Sequence, residues 1–156
     1  MKYLAVTIFS FLCVLFTGCD THTKDYSDLE SISFYNHEGN EITMEELKKD
    51  WNETITRAST KDASYEQEIK ELKIETIRDN SSNEDYLILV ASTSNSNAFS
   101  GKVISSFKDG FQLPKETVTC INCGSEFKGE LVDGTWICAD NGDKIDGCVR
   151  ASTTSN

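Results

Sequence analysis

Hydrophobic positions along this chain follow three rhythms: one unbroken run, one helical stripe, and several short segments that alternate or are apolar throughout. The unbroken run is Tyr3 to Phe16 (YLAVTIFSFLCVLF), preceded by Lys2 and followed closely by the polar stretch Asp20 to Asp28 (DTHTKDYSD). Crossing a bilayer takes about 20 apolar residues, so the run is too short to remain in a membrane as a spanning helix. The helical stripe is Met44, Leu47, Trp51 and Ile55, which follows Thr43 and Glu46 in the T-x-x-E pattern of a capping box. An amphipathic helix that packs its apolar face on a core is predicted there.

The remaining runs read as strands. Leu29 to Tyr35 (LESISFY) alternates, and Asn36 to Asn40 then supplies turn residues. Tyr65 to Arg78 fits both periods, and Leu72, Ile74 and Thr76 favour a strand in its second half. Asp79 to Glu84 (DNSSNE) is a loop leading to Tyr86 to Val90 (YLILV), an apolar run of strand length, so the two runs form a hairpin with a central strand. After a Ser/Asn loop from Ser92 to Ser100, further strands are expected at Lys102 to Phe107, Thr117 to Ile121 and Thr135 to Cys138, punctuated by Gly110, Pro114, Gly129 and Gly134. The predicted class is α+β: a small antiparallel sheet with one packed amphipathic helix and a Cys-rich, mostly β C-terminal subdomain.

Leu15-Phe16-Thr17-Gly18-Cys19 closes the unbroken run. This sequence resembles the lipobox of bacterial lipoproteins, in the form found in small exported lipoproteins of Bacteroidota. The resemblance covers residues 1–19, with Phe16 where the family more often has Leu, Val or Ile. It implies that the Cys19 thiol receives a diacylglyceryl group, that cleavage falls just before it, and that the new amine is acylated, as with palmitate. It also implies a cell-envelope location, at the outer membrane on its periplasmic or surface face. Read as an ordinary secretory signal instead, the segment would leave Cys19 incidental; Gly-Cys at the end of the apolar run favours the lipid. The expected organisation is a signal peptide over 1–18, a lipid-attached tether over 19–28, an α+β core over 29–115, a Cys-rich β subdomain over 116–151 and a disordered tail over 152–156.

Charge narrows the partners. The chain carries 26 acidic against 15 basic residues, a net charge of −11, and loss of Lys2 with the signal leaves the rest still more acidic. Such a surface is repelled by nucleic acid and by phosphate headgroups, so the membrane contact expected is through the lipid alone.

Four cysteines, Cys120, Cys123, Cys138 and Cys148, lie in the last quarter of the chain. In an exported protein an even set favours two disulfides, with three possible connectivities. Cys120-Ile-Asn-Cys123-Gly124 is also similar to the first knuckle of a zinc ribbon, although Cys138 and Cys148 stand too far apart for the second. CxxC can serve thiol redox chemistry where a helix follows and lowers the first thiol's pKa, but Gly124 to Gly129 has no helical apolar face. The loop Asp140 to Gly147 is rich in oxygen ligands for calcium, lacks EF-hand spacing, and is equally the composition of a tight turn.

His22 and His37 have no evident nucleophile or metal-ligand partner, and no nucleotide loop or nucleophile elbow occurs. Together these readings describe a lipid-anchored cell-envelope protein with a binding or structural accessory role, open to an envelope protein partner. Two alternatives remain at this stage: an envelope thiol-disulfide enzyme using Cys120 and Cys123, and a calcium- or zinc-dependent adhesion module. The sequence nominates no catalytic residue, no resident metal, no cofactor and no small-molecule substrate.

Overall fold

Thr43 and Glu46 start the helix α1 (Met44–Ser59) as their spacing predicts. The Glu46 amide donates to Thr43 Oγ1 at 3.1 Å while the Thr43 amide donates to Glu46 Oε2 at 2.8 Å, so each side chain satisfies an amide that the first turn leaves without a partner. These bonds to the ionised form, led by the Thr43 amide, hold the Glu46 carboxyl below the usual range. The computed structural model describes residues 26–59, 68–94, 98–123, 129–140, 143–144 and 148–154. The apolar leader, Cys19 and most of the tether lie outside the described residues.

Leu47, Trp51 and Ile55 are buried on the sheet, as the stripe requires. The sheet is built on a meander of β3 (Ile69–Arg78), β4 (Asp85–Thr93) and β5 (Ala98–Phe107), all antiparallel. The two outer strands of the predicted loop at Ser92 to Ser100 run further than expected, because Ser92 pairs with Phe99 and Ala91 with Ser100. Beyond β5 the sheet divides. The first half of β5 pairs with β7 (Glu116–Ile121), which pairs in turn with β12 (Val149–Thr154). Its second half pairs with β6 (Gly110–Gln112), which lies parallel to β1 (Phe34–Tyr35), itself antiparallel to β2 (Glu41–Ile42).

Alternation along β4 and β5 decides what covers each face. Leu87, Leu89, Ala91, Ala98 and Ile104 face α1 together with Phe34, Phe111 and Leu113. Ile88, Val90, Phe99, Val103 and Val118 face the opposite way, towards the hairpin of β8 (Glu130–Val132) and β9 (Thr135–Ile137), from which Leu131 and Trp136 enter the core. Burying a large apolar side chain stabilises by about 1.5–3 kcal/mol, so the helix side, with the more such side chains, contributes the larger share. Asp133 and Gly134 both have positive φ, 51° and 69°, the geometry of a two-residue hairpin turn. A shorter ladder joins β10 (Ala139–Asp140) to β11 (Asp143–Lys144).

Asp79, in the predicted DNSSNE loop, locks this hairpin to the sheet. Its carboxylate accepts from the amides of Ser81 (2.7 Å), Ser82 (3.0 Å) and Gly134 (2.6 Å), while the Asn80 amide donates to the Leu131 carbonyl. The Gly134 bond, with those of Ser82, Ser81 and Asp133, holds the Asp79 carboxyl below its ordinary range although the residue is buried.

Three boundaries differ from the sequence expectation. Tyr26 packs edge-on against Phe111, so folded structure begins ahead of Leu29 and takes in the end of the tether. The strand expected over Leu29 to Tyr35 is a 3-10 turn at Leu29–Ser31 followed by β1, since the Ile32 amide bonds back to Leu29. Ser152 to Thr154, expected to be disordered, continue β12 beside Val118, Thr117 and Glu116. Both β7 and β12 are strands of the main sheet, so the Cys-rich segment supplies part of that sheet as well as the β8–β9 hairpin that covers one of its faces.

Gly101 is where the hairpin layer meets the sheet. A Cβ there would lie 2.9 Å from the Trp136 indole, closer than carbon atoms tolerate. Gly101→Val is expected to destabilise the protein by about 1–3 kcal/mol through overpacking, measured by urea denaturation.

Candidate functional site

The four cysteines resolve into two disulfides, Cys120–Cys138 and Cys123–Cys148, with Cα separations of 5.5 and 4.3 Å. The first ties β7 to the residue after β9, and the second ties the end of β7 to the residue before β12. In the chain-entropy treatment, loops of 18 and 25 residues stabilise by about 3 kcal/mol each. A four-thiolate zinc site needs all four sulfurs around one ion, whereas here they are joined two and two. The two CxxC sulfurs are bonded to different partners rather than to each other, and Cys120 is fully buried.

A pocket opens on the other side of the sheet, where β5 passes from one partner to the next. Pairs on that edge stop at Gly101 with Val118 and resume at Ser105 with Gln112. Three residues of β5, 102–104, thus face five of the opposite chain, 113–117, and the surplus forms a bulge that takes in Pro114 and the buried Leu113. Proline has no amide hydrogen with which to continue the ladder. The cavity left beneath the bulge measures about 260 Å³. Its walls are Leu113 and Pro114, Ile42 of β2, and Glu46, Leu47 and Asp50 on the first turns of α1, with Asn36 and His37 of the β1–β2 turn at one side.

Lys102 lines this cavity at the fork. Its parity on β5 matches Ser100 and Ile104, so it points at the helix rather than at solvent and is only 3% exposed. Its ammonium lies 5.7 Å from the centre of the Trp51 ring. Among the described residues no protein group accepts a hydrogen bond from it. Burial pushes the Lys102 pKa down to about 8, against a partly offsetting attraction to Asp50. Trp51 is fixed from behind: its indole N–H donates to Ser100 Oγ at 2.7 Å, and Ser100 donates to the Val118 carbonyl at 3.1 Å. The His37 side of the pocket is held by Gln112, whose amide donates to the carbonyls of Asn36 and His37.

Of the positions singled out in the sequence, Cys120, Cys123, Cys138 and Cys148 come together in pairs, and His37 lines the pocket. Cys19 and His22 lie outside the described residues, as does most of the Asp140 to Gly147 loop. Among the described residues no group of three or more His, Cys, Asp or Glu side chains is placed to hold a metal ion, and no helix is long and apolar enough to cross a membrane. Lys102 and Asp50 were missed. The legible signal was parity: in AFSGKVISSF, Lys102 occupies the row of Ala98, Ser100 and Ile104, a charge on an inward face.

No protein-family model matches the chain, and comparisons with curated proteins and with solved structures return no match. Fold and site define a disulfide-stapled α+β domain with a lysine-floored pocket at a break in its sheet.

Two outcomes follow. Peptide mapping without reductant will recover Cys120 joined to Cys138 and Cys123 to Cys148, and reduction will lower the thermal midpoint. For Lys102 the folded pKa lies below the unfolded value of about 10.4, so between pH 8 and 10.4 the unfolded chain holds more protons and stability rises with pH. Lys102→Met removes a penalty on the order of 3 kcal/mol that is fully present below pH 8. The stability gap between variant and wild type, from denaturant titrations, will therefore close as pH climbs from 8 to 10; a constant gap would refute the buried charge.

Proposed function

We propose that this protein is a lipid-anchored cell-envelope binding protein, tethered at the outer membrane through acyl chains on Cys19, whose folded domain takes up a small ligand in the Lys102 pocket. The observation that carries the binding reading is the ammonium at the pocket floor. A buried donor with three N–H groups and no protein acceptor is costly to keep, and a group that is costly for the fold has its rationale in what it binds. The Leu15 to Cys19 sequence supports the location. Each buried methylene contributes about 0.8 kcal/mol, so two or more acyl chains hold a domain at a bilayer essentially permanently. The acidic surface keeps the domain itself off anionic headgroups.

Both parts are open to test in the full chain. Cys19→Ser is expected to move the protein from the detergent-extracted membrane fraction to the soluble one, and unchanged fractionation overturns the anchor. Mass spectrometry of molecules released on denaturing the purified protein is expected to yield one small organic compound in near-stoichiometric amount. No released compound, together with a thermal midpoint unmoved by a broad small-molecule library, overturns the binding role.

A further inference from the structure

We propose that the pocket takes a small organic monocarboxylate, its carboxylate accepting hydrogen bonds from the Lys102 ammonium and its apolar body lying along Ile42, Leu47, Leu113 and Pro114. This assignment of ligand class rests on the binding reading above and refines it.

Three features select the class. The first is the unmatched donor. Lys102 is almost wholly buried, faces the cavity, and has the Trp51 ring face but no protein acceptor among the described residues. An anionic oxygen pair supplies the acceptors it lacks, through charge-assisted bonds that are stronger than neutral ones. The second is charge count. One ammonium shares the lining with the carboxylates of Asp50 and Glu46 on α1, so every negative charge a ligand carries beyond the one that meets Lys102 adds repulsion with nothing to offset it. Phosphate esters and dicarboxylates are thereby disfavoured. The third is the size and character of the rest. Beyond the ammonium, Ile42, Leu47, Leu113 and Pro114 form an aliphatic half of the wall, and about 260 Å³ holds on the order of ten non-hydrogen atoms. Short branched-chain or aryl-acetic acids have these dimensions.

The geometry is set before any ligand arrives. Ser100 fixes Trp51, Gln112 fixes the turn carrying His37, and the capping box fixes the first turn of α1 that carries Glu46. A preorganised site loses less on binding than one that must be ordered. Binding also has a pH signature. The titratable groups facing Lys102 are Asp50 and Glu46 from the helix and His37 from the β1–β2 turn, while the β6–β7 link brings only Leu113 and Pro114. Once Lys102 sheds its proton the carboxylate loses its counter-charge.

The test is calorimetric titration of the full chain in mild detergent with 4-methylvalerate and phenylacetate, alongside the matching amides, phenylmethanesulfonate and inorganic phosphate. The acids are expected to bind, the amides and phosphate to bind at least tenfold more weakly, and affinity for the acids to fall about tenfold per pH unit above pH 8. Lys102→Met, which keeps the side chain's length and removes its charge, is expected to abolish acid binding while the disulfides and fold remain, checked by circular dichroism and peptide mapping. Acids binding equally well to Lys102→Met, or amides binding as well as acids, overturns the carboxylate assignment and leaves a ligand pocket standing. Sulfonate binding in place of both acids transfers the site to another monoanion and also overturns it. No binding by any probe overturns it as well, and whether the pocket binds anything is then decided separately by the released-compound measurement.

Discussion

Strands β4 and β5 are apolar on both sides, and a sheet with two apolar faces is stable only when each is covered. That requirement organises the molecule. Leu87, Leu89 and Ala91 need the helix, while Ile88 and Val90 need the β8–β9 hairpin, and neither cover suffices alone. Each layer inserts one tryptophan, Trp51 from the helix and Trp136 from the hairpin. The sheet accommodates them with its smallest residues: Ser100 meets the Trp51 N–H and Gly101 leaves room for the Trp136 ring, on adjacent positions of one strand.

The two covers are secured by different means. The helix spans enough residues to present a whole apolar stripe, and its capping box fixes where that stripe begins. The hairpin is short and brings only Leu131 and Trp136, too little to hold itself in place. Covalent and polar ties make up the difference. Cys120–Cys138 and Cys123–Cys148 anchor its flanks to β7 and β12, and Asp79 gathers amides from both turns at the other end. The disulfides therefore belong to the architecture of the second layer, which accounts for their confinement to the last part of the chain.

The pocket arises from the same sheet. β6 and β7 are one interrupted path alongside β5, and the residues between them exceed those they face by two. A well-paired sheet would have filled that space with backbone. The bulge at Leu113 and Pro114 instead leaves a cavity under the start of α1, and the inward row of β5 places a lysine at its floor. A charge in such a position opposes stability, so the site and the fold pull in opposite directions at Lys102, as is common where binding sites are built.

Periodicity and capping residues told in advance that α1 begins at Thr43, that β3 and β4 form a hairpin, and that the class is α+β, because these depend on contacts between residues near in sequence. The 3-10 turn at Leu29–Ser31, the continuation of β12 through Ser152 and the longer β4–β5 arms were not legible, since strand ends depend on whether a partner strand is opposite. The disulfide pairing was open among three arrangements for the same reason: spacing limits which thiols can meet, but strand order in space selects Cys120 with Cys138. Lys102 stood in the sequence only as the first residue of an expected strand, and its inward position emerges once its parity is joined to the helix lying above it. Local chemistry along the chain thus named the elements, whereas the pocket exists only through a mismatch in strand register between segments brought together by folding, and no neighbouring residues encode that on their own.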